Sequence, residues 1–228
     1  RLRARPRRAV PSSPSSKPPR LCKRATLRRL AKPIKRRGCN PRATLQFFKA
    51  RAPTQGQGEF MTIKVGDKLP SGTLQEYNET EMPGCPVGPA PVSVDELTKN
   101  KKVVIFGLPG AFTPTCSAKH VPSYVAHFDA LKVKGVDEIV CVSVNDAFVM
   151  GAWARDQKSG GKVRMLGDGS GAWTKALGLE QDLSARGLGV RSQRYSMLVD
   201  NGVVKTLNVE QGGKYEVSGA ETMLKQVA

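Results

Sequence analysis

Apolar residues in this chain cluster in short runs, and the spacing within each run separates strands from helices. Lys101-Lys102-Val103-Val104-Ile105-Phe106 is continuous and β-rich, predicting a buried strand over 102–108. Glu138-Ile139-Val140-Cys141-Val142-Ser143-Val144 is a second such run, suited to a strand covered on both faces. Residues 116–132 carry apolar positions at helical spacing and predict a helix bent at Pro122. Val94 to Asn100, Ala147 to Gln157, Gly171 to Leu177 and Ala220 to Val227 read as further helices, and Val163 to Leu166 as a short strand. Asn145-Asp146 and Ser218 are placed to cap the helices that follow them. Pro83 to Pro91 reads as a loop. Tyr195 to Val199 and Val203 to Asn208 flank Asp200-Asn201-Gly202, a strong hairpin signal. Strands alternate with helices and a hairpin plus helix closes the chain, which predicts an α/β sandwich with a mixed central sheet.

Charge divides the chain in two. The formal net charge is +18, but residues 1–60 hold 18 Lys/Arg and a single acid, Glu59. Residues 61–228 hold 19 Lys/Arg against 18 Asp/Glu and are nearly neutral. The basic character belongs to a separate segment, so it does not point to nucleic-acid chemistry in the remainder. That segment is rich in Arg, Pro and Ser and too poor in apolar periodicity to form a core; it is expected to be a disordered extension. Three origins compete: an organellar transit peptide, a basic binding arm, or translated sequence upstream of the natural start, with Met61 the first methionine. The third is preferred, which implies a bacterial cytoplasmic protein. A genuine transit peptide would place it in a mitochondrion or chloroplast instead. Residues 61–228 are long enough for one domain with its own core. No run of about 18 apolar residues exists, so no helical membrane span is predicted.

The chemistry centres on Cys116. It follows the predicted strand and the loop Leu108-Pro109-Gly110-Ala111-Phe112-Thr113-Pro114-Thr115, and it opens the predicted helix. Free N–H groups and the positive end of the helix dipole favour an anion there, so the position suits a reactive thiol. Cys141 lies 25 residues on, inside an apolar strand where an inert core thiol is the default. His120 shares a helix face with Cys116 and is expected to pack rather than to act. Cys85 sits in a loop, while Cys22 and Cys39 belong to the basic extension. Trp153 and Trp173 fall on helical stretches as core or interface residues. No Cys/His cluster has metal spacing and no glycine-rich phosphate loop joins a strand to a helix, so no metal or cofactor is expected.

Pro109-Gly110-Ala111-Phe112-Thr113-Pro114-Thr115-Cys116, His120-Val121-Pro122, Val142-Ser143-Val144-Asn145-Asp146 and Arg191-Ser192-Gln193-Arg194-Tyr195 together resemble the type II peroxiredoxins, over about residues 62–228. The resemblance implies a thioredoxin-like, three-layer fold and reduction of hydrogen peroxide and organic hydroperoxides through a sulfenic acid. It implies Cys116 as the peroxidatic nucleophile and Thr113 as a hydroxyl for the bound peroxide. Pro109 would shield the thiolate, and Arg191 would be the arginine that holds it.

By the same resemblance Cys141 matches the resolving cysteine of the plant members, whereas no cysteine follows residue 141 to serve as the animal one. An intramolecular 116–141 disulfide would require the helix start to unwind, and a one-cysteine cycle resolved by an external thiol is the preferred expectation. Glutathione with glutaredoxin, or thioredoxin, would be the donor. Pairing as a homodimer through the active-site end of the sheet would place Phe112 near the interface. Two rivals remain: a thiol–disulfide exchanger of the same fold, which would want a second cysteine at position 113, and a nucleic-acid binder acting through the extension.

Overall fold

The computed structural model describes residues 62–79 and 88–227. The expectations for residues 1–60, and for Cys22, Cys39 and Cys85, lie outside the described residues. Seven strands make one sheet, side by side in the order Gly88–Ser93, Thr73–Asn78, Arg164–Gly167, Glu138–Ser143, Lys102–Leu108, Tyr195–Asp200 and Val203–Val209. In chain order the first elements are β1 (Thr73–Asn78), β2 (Gly88–Ser93), α1 (Val94–Thr98) and β3 (Lys102–Leu108). A π-helical turn (Cys116–His120) then leads into α2 (Val121–Ala126) and α3 (Phe128–Val133), followed by β4 (Glu138–Ser143) and α4 (Ala147–Asp156). Next come β5 (Arg164–Gly167), α5 (Ala172–Ala176), β6 (Glu180–Asp182) and β7 (Val190–Ser192). The chain closes with β8 (Tyr195–Asp200), β9 (Val203–Val209) and α6 (Ala220–Gln226). Among the described residues no helix is long and apolar enough to cross a membrane.

Strands β3, β4 and β5 run parallel, and β8 is antiparallel to β3. Side chains alternate between faces along a strand, and β3 shows both destinations. Val104, Phe106 and Leu108 join one buried cluster with Tyr124, Leu131, Met150, Trp153 and Met223, under α2, α3, α4 and α6. Val103 and Ile105 join the other, with Val94 and Leu97 from α1, Trp173 from α5 and Leu177 just after it. The result is helix, sheet, helix: the three-layer sandwich read from the sequence. Cys141 pairs with Phe106 and lies on the same face as Cys116.

Three local expectations are corrected. Residues 88–91 belong to edge strand β2, not to a loop; Pro89 and Pro91 are tolerated because an edge strand has one unpaired side. The predicted helix over 116–132 is three segments, and it breaks at His127 (φ −97°, ψ 12°), not at Pro122. Pro122 occupies the first turn of α2, where a missing N–H costs little. Just ahead of it, the Val121 N–H reaches back to the Cys116 carbonyl, widening the chain into the π turn. Finally, Gly219 rather than Ser218 is the N-cap of α6. Asp146 does cap α4, accepting from the Val149 N–H at 2.9 Å. The hairpin turn has both Asn201 (φ 46°) and Gly202 (φ 77°) left-handed, as the Asn-Gly pair foretells.

Candidate active site

Parallel strands deliver their C-terminal ends to one edge of the sheet, and loops leaving that edge meet there. Leu108 ends β3 and Ser143 ends β4 on that edge, and Tyr195 begins β8 beside them, paired with Gly107. The loop 109–115, the turn Val144-Asn145 and the segment before β8 therefore converge. Cys116 follows the first of these. It is fully buried and free, at the start of the π turn.

The arginine against the sulfur is Arg194. Its Nη2 donates to Cys116 Sγ at 3.5 Å, and its Nη1 donates to His120 Nδ1 at 3.0 Å. Arg194 is 5% exposed, and its Nε has no hydrogen-bond partner among the described residues. A buried guanidinium donor without an acceptor is costly unless something fills the gap. Arg191, expected at the thiol, is elsewhere. Its Nε donates to the Leu188 carbonyl at 2.8 Å and its Nη1 to the Val144 carbonyl at 3.2 Å. A Cβ on Gly110 would lie 3.2 Å from Arg191 Nη1, so this side chain backs the active-site loop. The register differs by three residues for a structural reason: 191 falls in β7, which pairs with β6, whereas 194 leads directly into β8 beside β3.

Thr113 is half-buried, and its hydroxyl donates to the Gly110 carbonyl at 2.9 Å, leaving its oxygen lone pairs as acceptors. The Thr113 carbonyl accepts the Ser117 N–H at 3.0 Å and ties the loop to the π turn. Pro109 is half-buried at the loop's entry. Phe112 takes φ +59° and is 54% exposed, its ring 6.3 Å from that of Trp153. A left-handed backbone at a bulky residue is strained. Asn145 holds the loop in place: its Oδ1 accepts from the Ala111 N–H at 3.0 Å and the Ser143 hydroxyl at 2.8 Å. Trp153 Nε1 donates to Ser117 Oγ at 3.1 Å, joining α4 to the residue after the cysteine.

His120 is fully buried. Its Nε2 faces the Ser218 carbonyl at 3.1 Å, an acceptor, so that nitrogen carries the proton. Nδ1 is then the acceptor that Arg194 needs. Burial, and secondly the Arg194 charge, push the imidazole down to about 3, so it stays neutral. Cys141 is also fully buried and free; burial pushes its thiol up well above the ordinary value, with the nearby Cys116 adding to it. Among the described residues no group of three His, Cys, Asp or Glu side chains could hold a metal ion.

Of the site residues expected from the sequence, Pro109, Thr113 and Cys116 lie together on the loop and helix start at this edge, whereas Arg194 and Asn145, which the fold brings beside them, were not among those expected. A signal existed for both. Arg194 immediately precedes the apolar run Tyr195-Ser196-Met197-Leu198-Val199, and Asn145 follows the C-terminal end of a parallel strand.

A buried cysteine at a helix start, a guanidinium at its sulfur and a threonine loop over it form a constellation that comparison can place. Residues 64–224 match the Redoxin family model. Peroxiredoxin-2C of Oryza sativa is 50% identical over 163 residues, 72% of this chain and 97% of that one. The chain belongs to the type II peroxiredoxins. A crystal structure from Burkholderia cenocepacia, 60% identical, superposes with a TM-score of 0.73 over 74% of this chain and 99% of that one. Reduced Prx3 of Vibrio vulnificus, solved in complex with hydrogen peroxide, is 50% identical with a TM-score of 0.68, covering 73% of this chain and 100% of that one. The fold is therefore thioredoxin-like and the protein is a thiol-dependent peroxidase, taking peroxides as substrates and a thiol as reductant.

Proposed function

We propose that Cys116 is the peroxidatic nucleophile and that Arg194, rather than Arg191, is the arginine of the reaction. The observation carrying this is the 3.5 Å contact from Arg194 Nη2 to the buried Cys116 sulfur. The sulfur attacks one oxygen of the hydroperoxide; the S–O bond forms as the O–O bond breaks. Sulfur loses two electrons, and the departing oxygen takes them with a proton and leaves as water or an alcohol. The charge moves from sulfur to the leaving oxygen, so a guanidinium fixed beside both lowers the barrier without reorganising. The unpartnered Arg194 Nε supplies a donor for a peroxide oxygen, and the Thr113 oxygen an acceptor for a peroxide proton. Pro109 covers the sulfur from bulk water.

The cycle we favour uses one cysteine. Cys141 sits mid-strand between Phe106 and Met165, and a disulfide to it would require the π turn that carries Cys116 to unwind. An external thiol then attacks the sulfenic sulfur, releasing water and leaving a mixed disulfide. A second thiol attacks the donor sulfur of that mixed disulfide, releasing Cys116 as its thiol and the donor as a disulfide. Glutathione with glutaredoxin, or thioredoxin, would serve. Exposed Phe112 and Phe148 suit a homodimer contact beside the site. Chloroplastic and mitochondrial peroxiredoxins of Arabidopsis thaliana are among the relatives of this chain; the location we favour is cytoplasmic, with a mitochondrion or chloroplast the alternative.

Intact mass spectrometry after one equivalent of hydrogen peroxide with dimedone tests this. A dimedone adduct on Cys116 in both wild type and Cys141→Ala is expected. A two-dalton loss in wild type, replaced by the adduct in Cys141→Ala, would make Cys141 resolving. No reaction at Cys116 would overturn the assignment of the nucleophile.

A further inference from the structure

Glu210 is a buried carboxylate far from the thiol in sequence, and nothing in the peroxidase reaction calls for it. Its Oε1 accepts the N–H groups of Glu216, Val217 and Ser218 and the Ser218 hydroxyl, all at 2.7–2.8 Å. Burial opposes its ionisation, but these four bonds together outweigh it and hold the carboxyl below its ordinary range, so it is an anion at neutral pH. The loop it gathers, 211–218, crosses from β9 to α6 with Gly212 and Gly213 in left-handed backbone, and it has little apolar anchorage of its own.

What the gathered loop presents inward is the Ser218 carbonyl. It accepts from Tyr124 Oη at 2.9 Å and faces His120 Nε2 at 3.1 Å. A carbonyl can only accept, so it selects the tautomer with the proton on Nε2 and the lone pair on Nδ1. A guanidinium can only donate, and Nη1 of Arg194 finds that lone pair at 3.0 Å. The opposite tautomer would set N–H against N–H. Phe106 (4.9 Å), Tyr124 (5.8 Å) and Tyr215 (5.3 Å) pack against the imidazole, so it cannot simply turn to another partner. The chain of contacts also closes on itself, because the Glu210 N–H donates to the Arg194 carbonyl at 2.9 Å.

We infer that Glu210 is a positioning residue of the active site: by clamping residues 216–218 it presents the Ser218 carbonyl that fixes His120, and His120 in turn aims the Arg194 guanidinium at Cys116. This rests on the reading of Cys116 and Arg194 given above. Glu210 and His120 touch neither sulfur nor substrate; they act only through where Arg194 points. Losing either leaves the same misaimed guanidinium, so their effects must overlap.

The test uses the full chain, with the rate of Cys116 oxidation by hydrogen peroxide followed by stopped-flow tryptophan fluorescence. Glu210→Ala and His120→Leu should each slow oxidation by about 10-fold or more, and the double variant by no more than about 3-fold beyond the worse single. His120→Gln, whose amide can donate to Ser218 and accept from Arg194, should recover most of the rate. The side-chain 15N spectrum of His120 should show one Nε2–H tautomer in wild type and a mixture in Glu210→Ala. If Glu210→Ala fails to fold, Glu210→Gln, which keeps one acceptor oxygen, carries the same comparison with a smaller loss.

Wild-type rates in folded Glu210→Ala, multiplying losses in the double variant, or an unchanged tautomer would each overturn the inference. A wild-type Cys116 that does not react with peroxide would instead overturn the active-site assignment beneath it.

Discussion

Arg194 and Cys116 meet through one contact, Nη2 to Sγ at 3.5 Å, although 78 residues separate them. The contact exists because β8 lies antiparallel beside β3, which brings the residue before Tyr195 alongside the loop after Leu108. Arg191, three positions earlier, serves the same neighbourhood differently, by holding the Val144 carbonyl behind that loop.

Replacing the two arginines should separate these roles. Arg194→Ala removes the charge at the reacting atoms and should slow peroxide reduction by about 100-fold, on the scale of losing one preorganised donor. Arg191→Ala loosens a support and should cost about 10-fold or less. Second-order rate constants for hydrogen peroxide would decide it; a larger loss from Arg191→Ala would restore that residue as the thiol's partner.

Cys116→Ser removes the proposed nucleophile and should abolish turnover in a coupled assay with either donor system. Residual activity above a few per cent would mean that another thiol can do the chemistry.

His120 links the site to stability. Its imidazole is held at about 3 when folded and returns to about 6.5 when unfolded. Between those values the unfolded chain binds the extra proton. The His120 contribution is therefore fully present above about pH 6.5 and is lost as pH falls, by up to about 1.4 kcal/mol per unit. The depressed carboxyls of Glu138 and Glu210 act lower, below about pH 4.5. Urea unfolding at pH 7 and pH 5 should show wild type losing about 2 kcal/mol more than His120→Gln. Equal losses would show that His120 is not held neutral.

Asn145→Ala strips the acceptor from the part-buried Ala111 N–H and the Ser143 hydroxyl. Unfolding free energy should drop by about 1–3 kcal/mol. Peroxide reduction should also slow, because the loop carrying Thr113 loses its tie to β4. Unchanged kinetics would make the clamp purely structural.

Gly107→Ala probes the sheet beneath the site. A Cβ there would sit 2.1 Å from Cε1 of the Tyr195 ring, its cross-strand partner. Overpacking of this kind costs about 1–3 kcal/mol. Tyr195 adjoins Arg194, so the variant should combine a lower melting temperature with slower oxidation; a normal Tm and rate would mean that the ring has room to move.

The sequence by itself determined the layers and singled out Cys116 as the candidate nucleophile. Cys116 is legible because a strand, a Pro/Gly loop and a helix start are all local patterns, and short-range spacing sets them. Alternation along Val103-Val104-Ile105-Phe106 likewise assigns side chains to two buried faces before any partner is known. Pairing was left to the tertiary structure. Strand β1, between the edge strand β2 and β5, and the small β6–β7 ladder carry weak apolar signals, since half-exposed strands bury little that patterning can register.

The choice between Arg191 and Arg194 turned on strand register, which hydrogen bonding to a distant strand decides and local composition does not. The same holds for His120, whose sequence position says helix face and packing. Only the approach of Ser218 and Arg194, 98 and 74 residues away, fixes its proton and gives its ring a direction.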